Sequence, residues 1–117
     1  MTTSTLTIWH NPRCSKSRQT LALLEERAVA LTVRRYLDDP PSLAELREVL
    51  SKLNIKASDL VRKKEAVFKE LGLADADDDA LIEAMATHPK LIERPIVIAE
   101  DDAAIGRPPE DVLRLLS

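Results

Sequence analysis

Apolar positions along this chain change period several times. Leu6-Thr7-Ile8-Trp9 is apolar and β-prone, and His10-Asn11-Pro12 ends it, which predicts a short first strand. A helical period follows from about Ser15 to Arg27. Leu21, Leu24 and Ala28 share one face, widened by Ala22 and Leu23. Leu31 to Leu37 alternates and predicts a second strand, stopped by Asp38-Asp39-Pro40-Pro41. Ser42-Leu43-Ala44-Glu45 carries a capping-box pattern. The helix it opens runs to about Leu53, with Leu43, Leu46, Val49, Leu50 and Leu53 on one face. Ser58 is placed to cap a short helix holding Leu60, Val61 and Arg62. Further helical segments are expected over about Glu65–Leu71 and Ala80–Thr87. The acidic run Asp75 to Asp79 supplies a loop and an N-cap between them. Pro95 to Ala99 is a continuous apolar run, expected as a buried strand. Asp101-Asp102 is a turn candidate and Ala103-Ala104-Ile105 a return strand. Pro108 or Pro109 then starts a last helix that buries Val112, Leu113, Leu115 and Leu116.

The order is β-α-β, a helical block, then β-β-α. A helix joining two strands implies a right-handed crossover and a parallel pair. The short turn between the later strands implies an antiparallel pair. The expectation is an α/β protein with the thioredoxin layout and a helical insertion between its two halves. With 117 residues, the chain is read as one domain, 1–117.

Composition narrows the functional classes. A hydrophobic fraction of 44% with 32% charged residues fits a soluble globular chain. No apolar run approaches the length of a membrane span, and the first residues lack a signal-peptide pattern. A cytoplasmic location is expected, with no membrane partner. The net charge of −3 argues against nucleic-acid binding. One cysteine and two histidines leave no intramolecular disulfide and no ordinary zinc ligand set. No metal and no bound cofactor are expected, and any thiol redox cycle must take its second sulfur from another molecule.

The charge is uneven. The first acidic residue is Glu25, while His10, Arg13, Lys16 and Arg18 surround Cys14. This pattern suits an anionic ligand beside the thiol. It also suits a solvated helix start that happens to lack carboxylates, and charge alone leaves both open. Cys14 falls where the first strand ends and the first helix begins, where free backbone N–H groups and the helix dipole stabilise a thiolate. His10 and Arg13 can add positive charge or a hydrogen bond there. Ser17 lies one helical turn on, placed for its hydroxyl to donate to the thiolate. Burial is the commonest state of a free cysteine. The flanks Pro12, Arg13, Ser15 and Lys16 favour a polar, partly exposed, reactive thiol instead. Arg62, Arg94 and Arg107 stand out because a guanidinium offers a fixed fork of donors suited to tetrahedral oxyanions.

His10-Asn11-Pro12-Arg13-Cys14-Ser15-Lys16-Ser17-Arg18 resembles the active-site loop of the glutaredoxin-dependent arsenate reductases. Tyr36-Leu37 with Pro40-Pro41, Leu60-Val61-Arg62-Lys63, Lys69 to Leu73, His88 to Val97, and Gly106-Arg107-Pro108 continue the likeness in order. The resemblance covers nearly the whole chain. It implies a thioredoxin fold with a helical insertion, Cys14 as nucleophile assisted by His10 and Ser17, and an oxyanion site of Arg62, Arg94 and Arg107. It places Pro95 at the fold's cis-proline position. It implies arsenate, or a similar oxyanion, as substrate, glutathione as co-substrate and glutaredoxin as partner. Trp9, Arg13 and Lys16 depart from the established reductases, where tyrosine and small residues are usual. Two other readings remain: a thiol reductase of another substrate, and a non-catalytic regulator related to thiol-stress proteins that bind RNA polymerase.

Overall fold

A computed structural model describes residues 5–27 and 30–116. Ala28, expected on the apolar stripe of the first helix, lies outside the described residues. Strand β1 (Thr5–Trp9) leads into α1 (Ser15–Glu26) and back to β2 (Ala30–Arg34). The insertion comprises α2 (Leu43–Leu53), α3 (Ala57–Leu60), α4 (Ala66–Glu70) and α5 (Asp78–Thr87). Single 3₁₀ turns cover Leu73–Asp75 and Pro89–Leu91. Strands β3 (Ile96–Ile98) and β4 (Ala103–Ile105) precede a 3₁₀ helix over Pro109–Leu116. The expected element order is therefore present. No helix among the described residues is long and apolar enough to cross a membrane.

Backbone contacts divide the chain into two units. The first is Met1–Asp39 with Arg94–Ser117. Its sheet has the order β2-β1-β3-β4. β1 pairs with β2 in parallel, with Ile8 opposite Val33. β3 runs antiparallel to both β1 and β4, with Val97 opposite Ile8 on one side and Ala104 on the other. Together with α1 and the closing 3₁₀ helix, this is the α/β, thioredoxin-like arrangement that the patterning implied. Its core is Leu6, Ile8, Leu24, Val97, Ala104, Val112 and Leu115, with Leu21, Leu31 and Leu116 packed at the edge. Parallel pairing needs a crossover. α1 supplies it and buries Ser17, Thr20 and Leu24 on its inner face.

The second unit is Pro40–Glu93. Here α2 and α3 both pack on α5, and Leu46, Val49, Leu60 and Met85 are all at most 2% exposed. α2 begins with the anticipated capping box. The Ser42 hydroxyl accepts the Glu45 N–H at 3.1 Å, and the Glu45 carboxylate accepts the Ser42 N–H at 2.9 Å. It ends at Asn54, whose φ of 57° is left-handed, a conformation asparagine tolerates. Asp77 caps α5 by accepting the Ala80 N–H at 2.9 Å.

Two expected boundaries are corrected. β2 stops at Arg34 rather than Leu37. The Arg35 carbonyl accepts N–H groups from both Asp38 and Asp39, and this turn carries Tyr36 into the interior. Ser58 does not cap α3, because it lies inside that helix. The Asp59 carboxylate instead reaches back to the Lys56 N–H at 3.3 Å, and Val61 and Arg62 fall beyond the helix end.

Candidate active site

Pro12 and the turn around it end β1 and set the start of α1. The Cys14 N–H donates to the Asn11 carbonyl at 3.0 Å, and the Arg13 N–H donates to the Asn11 side-chain oxygen at 3.0 Å. The Arg18 guanidinium holds the Pro12 carbonyl at 2.9 Å. Cys14 is the residue preceding α1, with extended backbone. The backbone N–H groups of Lys16 and Ser17, in the first helical turn, are directed to its sulfur. Cys14 is 9% exposed, more enclosed than its polar flanks suggest.

Arg107 Nη2 donates toward Cys14 Sγ at 3.9 Å, while its Nε donates to the Arg94 carbonyl at 2.7 Å. The Arg94–Pro95 peptide is cis, and so is Arg107–Pro108. Gly106 joins these parts. A Cβ there would lie 2.5 Å from Thr20 Oγ1 and 2.8 Å from Pro95 Cγ, so only glycine lets α1 and Pro95 approach the residue before Arg107. The Gly106 N–H donates to the Pro95 carbonyl at 2.9 Å. Sequence reasoning singled out Arg107 but gave Asn11, Thr20 and Gly106 no role. A short polar side chain after a strand and a glycine beside an arginine are the only local signals for them.

Burial pushes the Cys14 thiol up. The Ser17 N–H, the Arg94 charge, the Lys16 N–H and the Arg107 charge together outweigh it, and the thiol titrates below its ordinary value. These are the causes expected for a reactive thiolate at a helix start.

His10 and Ser17 stand differently from the expectation. His10 is 6% exposed, and its Nδ1 lies 2.6 Å from Ser17 Oγ. The Ser17 hydroxyl also accepts the Asn11 N–H at 3.0 Å. That hydroxyl is engaged with His10 and Asn11 rather than with sulfur, and it is the backbone N–H of Ser17 that favours the thiolate. Burial, then the charges of Arg35 and Arg18, lower the His10 pKa below 6.5 against the opposing pull of Glu25. Burial and these charges disfavour the imidazolium, and through Ser17 the His10 ring braces the loop. Arg62 belongs to the other unit, where its Nη1 pairs with Glu65 at 3.2 Å and donates to the Lys90 carbonyl at 3.3 Å.

A parallel β-α-β unit, an antiparallel hairpin led by a cis-proline, and a cysteine at the start of α1 define a thioredoxin-like thiol protein. Comparison with known proteins narrows the class. The ArsC family sequence profile matches residues 9–115. An arsenate reductase of Neisseria meningitidis serogroup A is 52% identical over 112 residues, spanning 93% of this chain and 96% of that protein. The uncharacterised protein YfgD of Escherichia coli K12 is 51% identical over 117 residues, spanning 97% and 98%. A solved structure of an arsenate reductase from Vibrio cholerae superposes with a TM-score of 0.92 at 49% identity, covering 97% and 98%. The chain belongs to the ArsC family.

Proposed function

We propose that this protein is an oxidoreductase that reduces arsenate to arsenite, with Cys14 as nucleophile and glutathione and glutaredoxin as the source of electrons. The observation that carries this reading is the Cys14 thiol at the α1 start, its pKa lowered, with Arg107 3.9 Å from the sulfur. The Cys14 thiolate attacks arsenic, an As–S bond forms, and an arsenate oxygen leaves as water after protonation. Arg107 and Arg94 neutralise charge on the remaining oxygens, where paired donors match two oxygens better than an ammonium does. Glutathione thiolate then attacks the Cys14 sulfur. An S–S bond forms, the As–S bond breaks with its electron pair left on arsenic, and arsenite departs. Glutaredoxin reduces the Cys14–glutathione disulfide and returns the thiol. With one cysteine in the chain, no internal disulfide can close the cycle.

The test is arsenite production with glutathione and glutaredoxin, comparing the wild type with Cys14→Ser. Turnover should be lost in the variant, and thioredoxin with its reductase should not replace the glutathione system. Equal arsenite production with thioredoxin alone would refute the mechanism. No turnover by the wild type would move the assignment to another thiol substrate or to a binding role.

A further inference from the structure

We infer that Arg13 and Lys16, the exposed cations on either side of Cys14, select the thiol or disulfide that reacts with it, favouring carboxylate-bearing molecules of the glutathione type. The inference rests on the reading of Cys14 as a thiol resolved by an outside sulfur. The cations around this thiol fall into two groups. Arg94 and Arg107 act on the sulfur itself, and the Arg107 Nε is committed to the Arg94 carbonyl. Arg13 and Lys16 are exposed. Among the described residues, neither of their side chains has a hydrogen bond or ion pair. The backbone under them is fixed: Asn11 holds the Arg13 N–H, Arg18 holds the Pro12 carbonyl, and Lys16 sits in the first turn of α1. No acidic residue precedes Glu25 to neutralise them within this segment.

Glutathione carries a carboxylate on each of its two arms, with the reacting sulfur between. Arg13 and Lys16 likewise stand one before and one after the reacting sulfur of Cys14. A thiol without carboxylates gains nothing from these cations, and a cationic one is repelled.

The test needs no arsenate. The Cys14 thiolate attacks one sulfur of a disulfide, a new S–S bond forms, the old one breaks, and the other half leaves as thiolate. The rate is measured with oxidised glutathione, which is anionic, and with cystamine, which is cationic. Within one variant, the ratio of the two rates cancels the thiolate fraction and nucleophilicity of Cys14, so a shifted Cys14 pKa does not disturb it. The double variant Arg13→Glu with Lys16→Glu should move this ratio toward cystamine by about tenfold or more, and the shift should shrink as salt is raised. Arg27→Glu, at the far end of α1, should move it by less than about twofold. If the double charge reversal fails to fold, Arg13→Ala with Lys16→Ala replaces it, with an expected shift of about threefold. A ratio that moves no further than in Arg27→Glu overturns the inference, as does a Cys14 that exchanges with neither disulfide. A shifted ratio in a protein that makes no arsenite leaves this inference standing and removes arsenate as the substrate.

Discussion

Helices α1 and α2 face the same problem at their first turn and meet it in opposite ways. Each helix leaves its first N–H groups without intrahelical partners. At α2, Ser42 and Glu45 satisfy two of them reciprocally, Glu45 complements the dipole, and Lys52 sits in the last turn. α5 follows the same logic with Asp77 as cap and Asp78 and Asp79 behind it. At α1 there is no side-chain cap and no acid in the first turn, and Arg13, Lys16 and Arg18 stand where carboxylates would stabilise. Cations there oppose the helix dipole, each by about 0.3–1 kcal/mol at an exposed site. α2 and α5 begin as structural helices do. α1 begins with no side-chain cap, with cations about its first turn and a thiol just before it. On the proposed reading of Cys14, the difference teaches that a missing cap with cations gathered around it marks where local stability is given up for a reactive group.

Three substitutions and one control, Arg114→Ala, sharpen this contrast, in order of expected effect. Arg107→Ala should lower kcat/KM for arsenate by about tenfold or more, or about 1.4 kcal/mol of transition-state stabilisation. Arg114→Ala is the comparison. It removes the arginine that pairs with Asp102 at 2.6 Å and should leave turnover nearly unchanged. Equal losses in both variants would argue against a special role for Arg107. Ser42→Ala removes the α2 cap and should cost about 1 kcal/mol in urea denaturation, with the pKa of Cys14 unmoved. A loss near zero would mean that the capping box is not what stabilises this helix. Lys16→Glu repairs the α1 dipole and should stabilise the fold by about 0.3–1 kcal/mol at low salt. The same change should raise the alkylation midpoint of Cys14. A variant that is both more stable and equally reactive would break the proposed exchange of stability for reactivity.

Much of this was legible in the sequence wherever a feature is carried by neighbours. The α2 capping box spans Ser42 to Glu45, so one short window states it. The parallel and antiparallel pairings followed from the lengths of the connections, one long enough for a helix and one only a turn. The position of Cys14 at the strand-to-helix junction was equally local. What failed depends on the rest of the fold. The alternation of residues 31–37 continued past the true strand end, because the turn on the Arg35 carbonyl is written in no single side chain. Ser58 and Asp59 can both cap a helix start, and only the settled backbone decides that the carboxylate of Asp59 does it. The direction of the Ser17 hydroxyl was misjudged for the same reason. Its partner His10 is seven residues away on the other side of the loop, and helical spacing to Cys14 says nothing about it. The fit of Gly106 against Thr20 and Pro95 joins three distant segments, and a glycine beside an arginine is its only local signal.

The pH dependence of Cys14 alkylation by iodoacetamide tests the central claim most directly. The thiol titrates below its ordinary value in the folded protein, so the fold favours the thiolate. The sign for stability follows. The contribution of the thiolate is fully present above the unfolded thiol's pKa of about 8.5 and is lost as pH falls through the lower folded pKa. The account predicts an alkylation midpoint below about 8.5 for the native protein, returning to about 8.5 when the chain is unfolded in urea. A native midpoint at or above the unfolded one would contradict it, because the open start of α1 would then hold no thiolate.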